Sequence, residues 1–347
     1  MKKLNLKKLL SLTAAVALTL SLAACSGGTA SSPSPSASAP AGSAPAAGEG
    51  YQVAVVKQLD HASMDEIANA ITGRLDEIAA EKGAEITYQV FSGQNDQSTL
   101  TQIGSQIVAD GYSAIVPIGT LAAQVMVVAA EDSKTPVIFA AVSDPAYNDL
   151  TGIDYLTGTS DALNTEFILD MMLAQNPDTA KVGLLYSKSE TNSATPIAEA
   201  KTYLDGKGIA YVEATANTND EVIAAASSLI ADGVDAVFTP TDNVVMAAEL
   251  AIYEDLAAAG IPHYTGADSF VRNGAFATCG VNYTDLGAQT ADLVEQALSA
   301  GMDGLEDFYK VSGGIITVNT ETAAALGADY SVFADMGDLV EVTTTAE

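Results

Sequence analysis

Basic residues, histidines and cysteines are scarce in this 347-residue chain. Lysine and arginine number 14 against 44 aspartates and glutamates, and the formal net charge is -30. Neutralising phosphates or docking on anionic lipid requires a basic surface, so the charge excludes a nucleic-acid-binding protein and a polybasic membrane-docking protein. The two cysteines and two histidines exclude a disulfide-rich scaffold and a structural zinc site.

Sequence patterns of common catalytic and nucleotide-binding sites are also missing. The chain has no G-x-S-x-G, no P-loop, no G-x-G-x-x-G and no paired histidine or cysteine motif. We therefore predict that it is not an enzyme and that it uses no cofactor or metal. Its 48% hydrophobic and 17% charged residues are typical of a globular chain, and about 300 residues usually form two domains.

The N-terminus has the layout of a secretory signal. Residues 1–8 are basic, residues 9–24 are apolar, and Leu22-Ala23-Ala24-Cys25 is similar to a bacterial lipobox. We predict that residues 1–25 are a lipoprotein signal peptide and that Cys25 becomes the lipidated first residue. An ordinary signal peptide with a cysteine placed there by chance is the alternative.

A segment of serine, alanine, proline and glycine follows the cysteine, at residues 26–50. It has no side chains to bury, so we predict a disordered tether. With the signal removed, 10 basic residues face 44 acidic residues, and the charge of the remaining chain is -34. The expected protein is an acidic body outside the cell membrane, or in the periplasm, held by a lipid anchor only.

From Tyr51 onward, short apolar runs alternate with amphipathic stretches. Residues 51–56 predict a buried strand, and residues 64–82 predict a helix with one apolar face that Gly83 ends. Further strands are predicted at residues 86–91, 114–118 and 137–140, each followed or preceded by a helical pattern. Regular alternation with short connections predicts an α/β fold in which helices cover both faces of a parallel sheet.

The same pattern recurs about 125 residues later. Ile107-Val108-Ala109-Asp110-Gly111 matches Leu229-Ile230-Ala231-Asp232-Gly233, and each match is followed by a further apolar run. General similarity among α/β units is the alternative explanation. We predict two similar doubly wound parallel-sheet lobes joined by a hinge, with crossings at 157–159, 279–281 and 311–314. The predicted lobes are 51–157 plus 281–312 and 158–280 plus 313–347.

Several loop sequences strengthen this prediction. They are Gln94-Asn95-Asp96-Gln97-Ser98, Phe139 to Pro145, Leu185 to Ser193, Thr239 to Asn243, and Ala267-Asp268-Ser269. In this order the chain resembles the tryptophan- and tyrosine-uptake type of ABC transporter substrate-binding proteins, which have the periplasmic-binding-protein type I fold. The resemblance covers about residues 51–300.

The resemblance implies an extracytoplasmic protein that binds a small amino acid-like ligand, possibly an aromatic one. It implies delivery to an ABC permease and its ATPase, and we expect a monomer. A sugar- or nucleoside-binding protein, or a sensor that docks a receptor, is the alternative function.

Polar residues at the ends of the predicted strands are the candidates for ligand contact. Thr120, Asn192 and Ser193 stand at helix starts, whose N–H groups and dipole can hold a carboxylate without a cation. Asp144 and Asp242 could receive an ammonium group. Local capping explains each of these residues equally well.

The resemblance implies that Asp268 is the best match for the residue that binds the ligand amine. It also implies a ligand contact near His61. Among the aromatic side chains, Tyr186 and Phe270 are the candidates for stacking. The full set of predicted ligand-binding residues is Gln58, His61, Asn95, Gln97, Gly119, Thr120, Ser143, Asp144, Tyr186, Glu190, Asn192, Ser193, Thr241, Asp242, Asn243 and Asp268.

Overall fold

The computed structural model describes residues 50–345, and these contain two α/β lobes. The first stretch of chain forms β1 (Tyr51–Lys57), α1 (Ala62–Lys82), β2 (Ile86–Ser92), α2 (Gln97–Asp110), β3 (Ala114–Ile118), α3 (Thr120–Ala129), β4 (Val137–Phe139) and β5 (Leu156–Ser160). The predicted signal peptide, Cys25 and nearly all of the predicted tether lie outside the described residues.

The middle of the chain forms most of the second lobe. Its elements are α4 (Thr165–Gln175), β6 (Lys181–Tyr186), α5 (Ala194–Lys207), β7 (Ala210–Thr215), α6 (Asn219–Asp232), β8 (Ala236–Thr239), α7 (Asn243–Ala248), α8 (Tyr253–Ala258), β9 (His263–Thr265), α9 (Asp268–Arg272) and β10 (Ala277–Val281). Short 3-10 helices cover Thr191–Ser193 and Glu249–Ala251.

The last stretch of chain returns to each lobe in turn. It forms α10 (Tyr283–Ala300), β11 (Tyr309–Lys310), β12 (Gly313–Asn319), α11 (Thr320–Leu326), a 3-10 helix at Ser331–Asp335 and β13 (Asp338–Val342). No helix among residues 50–345 is both long enough and apolar enough to cross a membrane.

Each lobe is built on one sheet, as predicted. The first sheet has the order β11-β5-β4-β3-β1-β2 and is parallel throughout. The second has the order β13-β12-β10-β9-β8-β6-β7 and is parallel except at one junction, where β12 runs antiparallel to β10. That junction departs from the purely parallel prediction, because β12 re-enters the second lobe from the opposite direction.

Local sequence explains the boundaries of the first helices. The side chain of His61 caps α1 by accepting from the N–H of Met64, and Gly83 ends the helix in the left-handed conformation with φ 63°. Asp96 caps α2 by accepting from the N–H of Thr99. The apolar face predicted for α1 is buried, from Ile67 to Ile78.

The chain crosses between the lobes at three places. The first crossing follows Ser160, because residues 157 and 158 pair with β4 and so lie inside β5. The second follows Val281, which pairs with Gly313 in the second sheet. The third lies between Lys310 and Gly313. The boundary drawn from the sequence at 157 and 158 therefore falls within a strand: Leu156-Thr157-Gly158-Thr159-Ser160 has too few apolar residues to be recognised as one.

Helix α10 completes the first lobe by packing directly on α1. A Cβ atom added at Gly287 of α10 would lie 2.6 Å from the Cβ of Ala70 and 2.8 Å from the carbonyl oxygen of Ile67. Arg74 and Asp292 form an ion pair between the same helices, with Nε and Oδ1 2.9 Å apart. The two helices can approach this closely only because residue 287 has no side chain.

We predict that Gly287→Ala lowers the free energy of unfolding by about 1–3 kcal/mol, because the methyl group forces the two helices apart. Gly73→Ala is the matched control within α1, since a Cβ there has no atom within 4 Å. It should raise stability by about 0.5–1 kcal/mol through helix propensity. Urea unfolding of both variants checks the prediction, and an equal effect of the two changes would contradict it.

Candidate functional site

A small cavity lies between the two lobes, at the carboxyl ends of strands from both sheets. This is where ligands bind in open α/β sheets. The residues that line it are His61, Ser63, Met64, Ile67, Gly119, Thr120, Ala141, Ser143, Asp161, Asn192, Thr241, Asp242, Asn243, Met246, Ala267, Phe270 and Tyr283. Eight of the sixteen predicted site residues are in this set.

The turn from β3 into α3 forms one wall of the cavity. Gly119 has φ 93°, and a Cβ there would lie 2.8 Å from Oε1 of Gln58. That oxygen accepts from the N–H of Leu121 at 3.0 Å, so Gln58 occupies one donor of the helix start. The hydroxyl oxygen of Thr120 is buried, lines the cavity and has no hydrogen-bond partner within the described chain. The turn thus presents an unused hydroxyl group and a helix N-terminus to the cavity.

A buried carboxylate, Asp161, lies on the first crossing between the lobes. Its Oδ1 accepts from the hydroxyl of Ser143 at 2.9 Å, and its Oδ2 accepts from the hydroxyl of Tyr283 at 3.1 Å. Burial raises the pKa of Asp161 above its usual range. A carboxylate has about four lone-pair sites and these hydroxyls use two of them, so Asp161 can accept further hydrogen bonds from the cavity.

The other buried carboxylate in the cavity wall, Asp242, already accepts four hydrogen bonds from the protein. Its two oxygens accept from the N–H groups of Ser187, Val244 and Val245, and from the hydroxyl of Ser193, at 2.7–3.1 Å. Burial raises the pKa of Asp242 even though these donors favour the charged form. The geometry makes Asp242 the N-cap of α7 and the anchor of the loop after β6.

Polar side chains from the two lobes meet across the cavity. Nε2 of His61 and Oδ1 of Asn243 are 3.0 Å apart, and the hydroxyls of Ser143 and Thr241 are 3.1 Å apart. The hydroxyls of Ser63 and Ser269 also form a hydrogen bond. These contacts join first-lobe residues to second-lobe residues, so the cleft is closed in this structure.

Four further predicted residues lie directly behind the cavity wall. Nε2 of Gln58 donates to Oδ1 of Asn95 at 2.9 Å and to Oε1 of Glu190 at 3.0 Å. Oε2 of Glu190 accepts from Nδ2 of Asn243 at 2.6 Å. Ser193 contacts Asp242. These side chains support the residues that face the cavity and do not line it themselves.

The remaining four predicted residues lie away from the cavity. Gln97 is exposed on α2, and Asp144 accepts from the hydroxyl of Thr195 at 2.7 Å outside the cavity. The Tyr186 side chain belongs to the second-lobe core, where its hydroxyl donates to Glu213 at 2.6 Å. Strand alternation turns the Tyr186 ring away from the cleft.

Asp268, the predicted amine partner, accepts through Oδ2 from Nε of Arg272 at 3.2 Å within α9, while its Oδ1 is buried and has no hydrogen-bond partner among residues 50–345. The i, i+4 spacing of these two residues favours this pairing on one helix face. Its neighbour Phe270, which was predicted to stack on the ligand, does line the cavity.

Sequence reasoning missed Asp161 and most of the apolar part of the cavity. Asp161 follows β5, which was not recognised as a separate strand. Met64 and Ile67 had been assigned only to the buried face of α1, and Met246 had not been singled out. Tyr283, at the start of α10, was also missed. Its signal was available in principle, since it follows the end of β10 at the second crossing.

The electrostatics of the cavity are set by buried anions without a cation. No lysine or arginine is among the lining residues, and burial lowers the pKa of His61, which keeps its ring neutral near pH 7. Among residues 50–345 no group of three or more His, Cys, Asp or Glu side chains could hold a metal ion. The site is suited to bind a small molecule that brings its own positive charge.

Comparisons with known proteins identify the family and the fold. The family profile described as ABC transporter substrate binding protein matches residues 52–331. A protein named tyrosine-binding protein from Clostridioides difficile is 27% identical over 279 residues, which are 79% of this chain and 80% of that protein.

Two solved structures show similarity at the level of the whole fold. One is an ABC domain in complex with L-Trp from Streptococcus pneumonia, with 26% identity, a TM-score of 0.76, and coverage of 84% of this chain and 100% of that chain. The other is a ligand-free, open substrate-binding protein with adhesive properties from Clostridium difficile, with 25% identity, a TM-score of 0.63, and coverage of 85% and 100%.

We predict that Asp242→Ala lowers the free energy of unfolding by about 3 kcal/mol or more, because it leaves several buried donors without an acceptor. Asp96→Ala is the matched control, since Asp96 is an exposed N-cap in the other lobe. Its loss should cost about 1 kcal/mol. Urea unfolding of the two variants measures the difference, and similar losses would show that Asp242 is an ordinary cap.

Proposed function

The chain belongs to the ABC transporter substrate binding protein family, and on this premise we propose that it binds an α-amino acid, with an aromatic side chain, in the closed cleft between its lobes. The family and the related proteins are solute-binding proteins and not enzymes. The family acts outside the cytoplasm. What remains to be argued is which groups of this chain hold which groups of the ligand.

The observation that carries the proposal is the buried carboxylate of Asp161 in a cavity without a cation. A ligand ammonium group at Asp161 compensates for the interactions with water that the buried carboxylate has lost. It forms charge-assisted hydrogen bonds with the unused lone pairs of Asp161. Because Asp161 contacts Ser143 of the first lobe and Tyr283 of α10, the ammonium group binds at the crossing between the lobes.

The ligand carboxylate is held at the start of α3. The Thr120 hydroxyl has no partner, is buried and lines the cavity, and the first N–H groups of a helix have no intrahelical acceptor. The helix is ten residues long and its N-terminus carries a partial positive charge. A carboxylate there needs no lysine or arginine.

Apolar side chains form the rest of the cavity and face the side chain of the ligand. They come from both lobes: Met64 and Ile67 from α1, Met246 from α7, and Phe270 from α9. Methionine side chains are flexible and adapt to aromatic rings, and sulfur makes favourable contacts with them. The names of the two relatives, which bind tyrosine and tryptophan, support an aromatic ligand.

We expect L-tyrosine or L-tryptophan to raise the melting temperature, because a ligand that binds only the native state stabilises it. Asp161→Asn should weaken binding about ten-fold or more by calorimetry, since the charge on the acceptor is lost. It should not lower the melting temperature of the ligand-free protein, because the amide oxygen still accepts one hydroxyl and an expensive buried charge is removed.

Asp303→Asn removes the same charge from an exposed position and should leave the affinity unchanged. The thermal-shift panel also contains amino-acid methyl esters, decarboxylated amines, nucleosides and sugars. Stabilisation by sugars or nucleosides alone would overturn the amino-acid proposal in favour of the alternative ligand class. Equal affinities of Asp161→Asn and the unchanged protein would remove Asp161 from the site.

The N-terminal sequence supports a further part of the proposal, namely a lipid anchor at Cys25 with residues 26–50 as a tether. Held in this way, the body delivers its ligand to an ABC permease and the associated ATPase, and ligand-induced closure selects the form that docks. The lipobox-like sequence Leu22-Ala23-Ala24-Cys25 and the family membership support this arrangement.

Cys25→Ser should move the protein from the membrane fraction to the medium or periplasm. Without the thiol no lipid can be attached, and the acidic body has no basic surface to bind anionic lipid. Immunoblots of the separated fractions measure the change, with Cys279→Ser as the control because Cys279 is buried in the folded body. Persistence of the Cys25→Ser protein in membranes would contradict the anchor.

A further inference from the structure

The side chain of Glu190 accepts hydrogen bonds from residues of both lobes. Its carboxylate is buried, with 5% of the residue exposed, yet it does not line the cavity. Gln58 of the first lobe donates to Oε1 at 3.0 Å, and Asn243 of the second lobe donates to Oε2 at 2.6 Å. This position calls for a role other than ligand contact.

The hydrogen bonds that lead from His61 through Asn243 to Glu190 form a path in which all donors face the same way. The N–H of Met64 donates to Nδ1 of His61, so the neutral ring carries its proton on Nε2. Nε2 then donates to Oδ1 of Asn243 at 3.0 Å, and the amide nitrogen of Asn243 is left to donate to Glu190. Every donor along this path points toward the carboxylate.

The path through Gln58 has the same direction. The N–H of Leu121, at the start of α3, donates to Oε1 of Gln58, and the amide nitrogen donates to Glu190 and Asn95. Both paths begin in the first lobe, at the ends of α1 and α3, and both end on one second-lobe carboxylate. They break when the lobes separate, because His61 and Gln58 move with the first lobe.

We propose that Glu190 is a positioning residue that latches the closed cleft, and that closing the cleft takes up a proton at this carboxylate. The latch orients Gln58 and Asn243, and through them the Gly119–Thr120 turn and the second-lobe wall. Glu190 acts on the ligand only through these neighbours.

The surroundings of Glu190 determine whether closing of the cleft becomes more or less favourable as the pH falls. Burial, together with the carboxylate of Asp242, raises the pKa of Glu190 to about 7 in the closed cleft. In an open cleft the carboxylate faces water, and an ordinary glutamate has a pKa of about 4.3. The closed form therefore holds more protons between these values, so closing becomes more favourable as the pH falls toward 6.5.

Among the other titratable groups near the latch, Asp242 has a pKa shift in the same direction because burial raises its pKa, but its hydrogen bonds all come from the second lobe and do not break when the cleft opens. His61 reaches Glu190 through Asn243, and burial lowers its pKa, so closing releases a proton there and opposes the effect at lower pH. Lys188 is on the same loop but is exposed. Comparison of the protein with Glu190→Gln cancels the contributions of His61 and Asp161 and leaves that of Glu190 together with its interaction with Asp242.

The experiment measures amino-acid affinity and proton uptake by calorimetry between pH 6.5 and 8.5, for the full chain with Cys25→Ser. The ratio of the association constant of this protein to that of its Glu190→Gln variant should rise about four-fold from pH 8.5 to 6.5. At pH 7 the variant should take up about half a proton less on binding, measured in buffers of different ionisation enthalpy.

Glu131→Gln is the matched control, because it removes a carboxylate from an exposed first-lobe position. It should keep the pH dependence of the unchanged protein. A constant ratio across the pH range for Glu190→Gln would overturn the latch, and so would equal proton uptake at pH 7.

A second arm needs no ligand and compares the protein with its Glu190→Gln variant. Spin labels at Ser98→Cys and Asp220→Cys, exposed positions on α2 and α6, report the separation of the lobes, while Cys279 is buried. The population with the shorter distance should grow as the pH falls from 8.5 to 6.5. If no amino acid binds, the proposed function fails while this arm still decides the latch, and a population whose pH dependence is the same with and without Glu190→Gln rejects it.

Discussion

Three carboxylates, those of Asp161, Glu190 and Asp242, are buried at the meeting of two lobes without a cation beside them. Removing a charge from water is costly, and each carboxylate offsets that cost with hydrogen bonds from N–H and O–H groups. Asp242 is fully supplied by its own lobe, Glu190 is supplied by both lobes, and Asp161 is supplied only in part. Asp242 accepts four such hydrogen bonds, whereas Glu190 and Asp161 accept two each.

These differences depend on the geometry of the loops that follow the strands. Asp242 fixes α7 and the loop after β6, and the position of Asn243 then follows. Gln58 occupies one N–H of α3, in the space that Gly119 leaves open, and so keeps the Thr120 hydroxyl turned to the cavity. Neutral amides and hydroxyls thus perform the positioning that lysine and arginine perform in many other sites, which agrees with the scarcity of basic residues in the chain.

Much of the fold could be predicted because its signals are local. The apolar spacing in α1, the glycine at residue 83 and the Asp96 cap each depend on a few neighbouring residues, and the two-lobe architecture followed from their repetition. Half of the predicted site residues line the cavity, because strand ends are visible in sequence. Asp161 could not be found in this way, since β5 is rich in threonine and serine and is recognised only through its pairing with β4.

Side-chain direction was the second limit of the sequence prediction. Tyr186 and Asp268 stand at strand ends like the residues that reach the cavity, but one belongs to the second-lobe core and the other pairs with Arg272 on its own helix. Glu190 was correctly placed near the site, yet its role depends on Gln58, which is 132 residues away in sequence. Contacts of this range are set by tertiary structure alone.

The attachment of α10 to α1 has a consequence for the order of folding. The hydroxyl of Tyr51 donates to the carbonyl oxygen of Leu298, across 247 residues of sequence that include five of the seven strands of the second sheet. The first lobe therefore cannot be completed until almost the whole chain is available, and contacts of such long range slow folding.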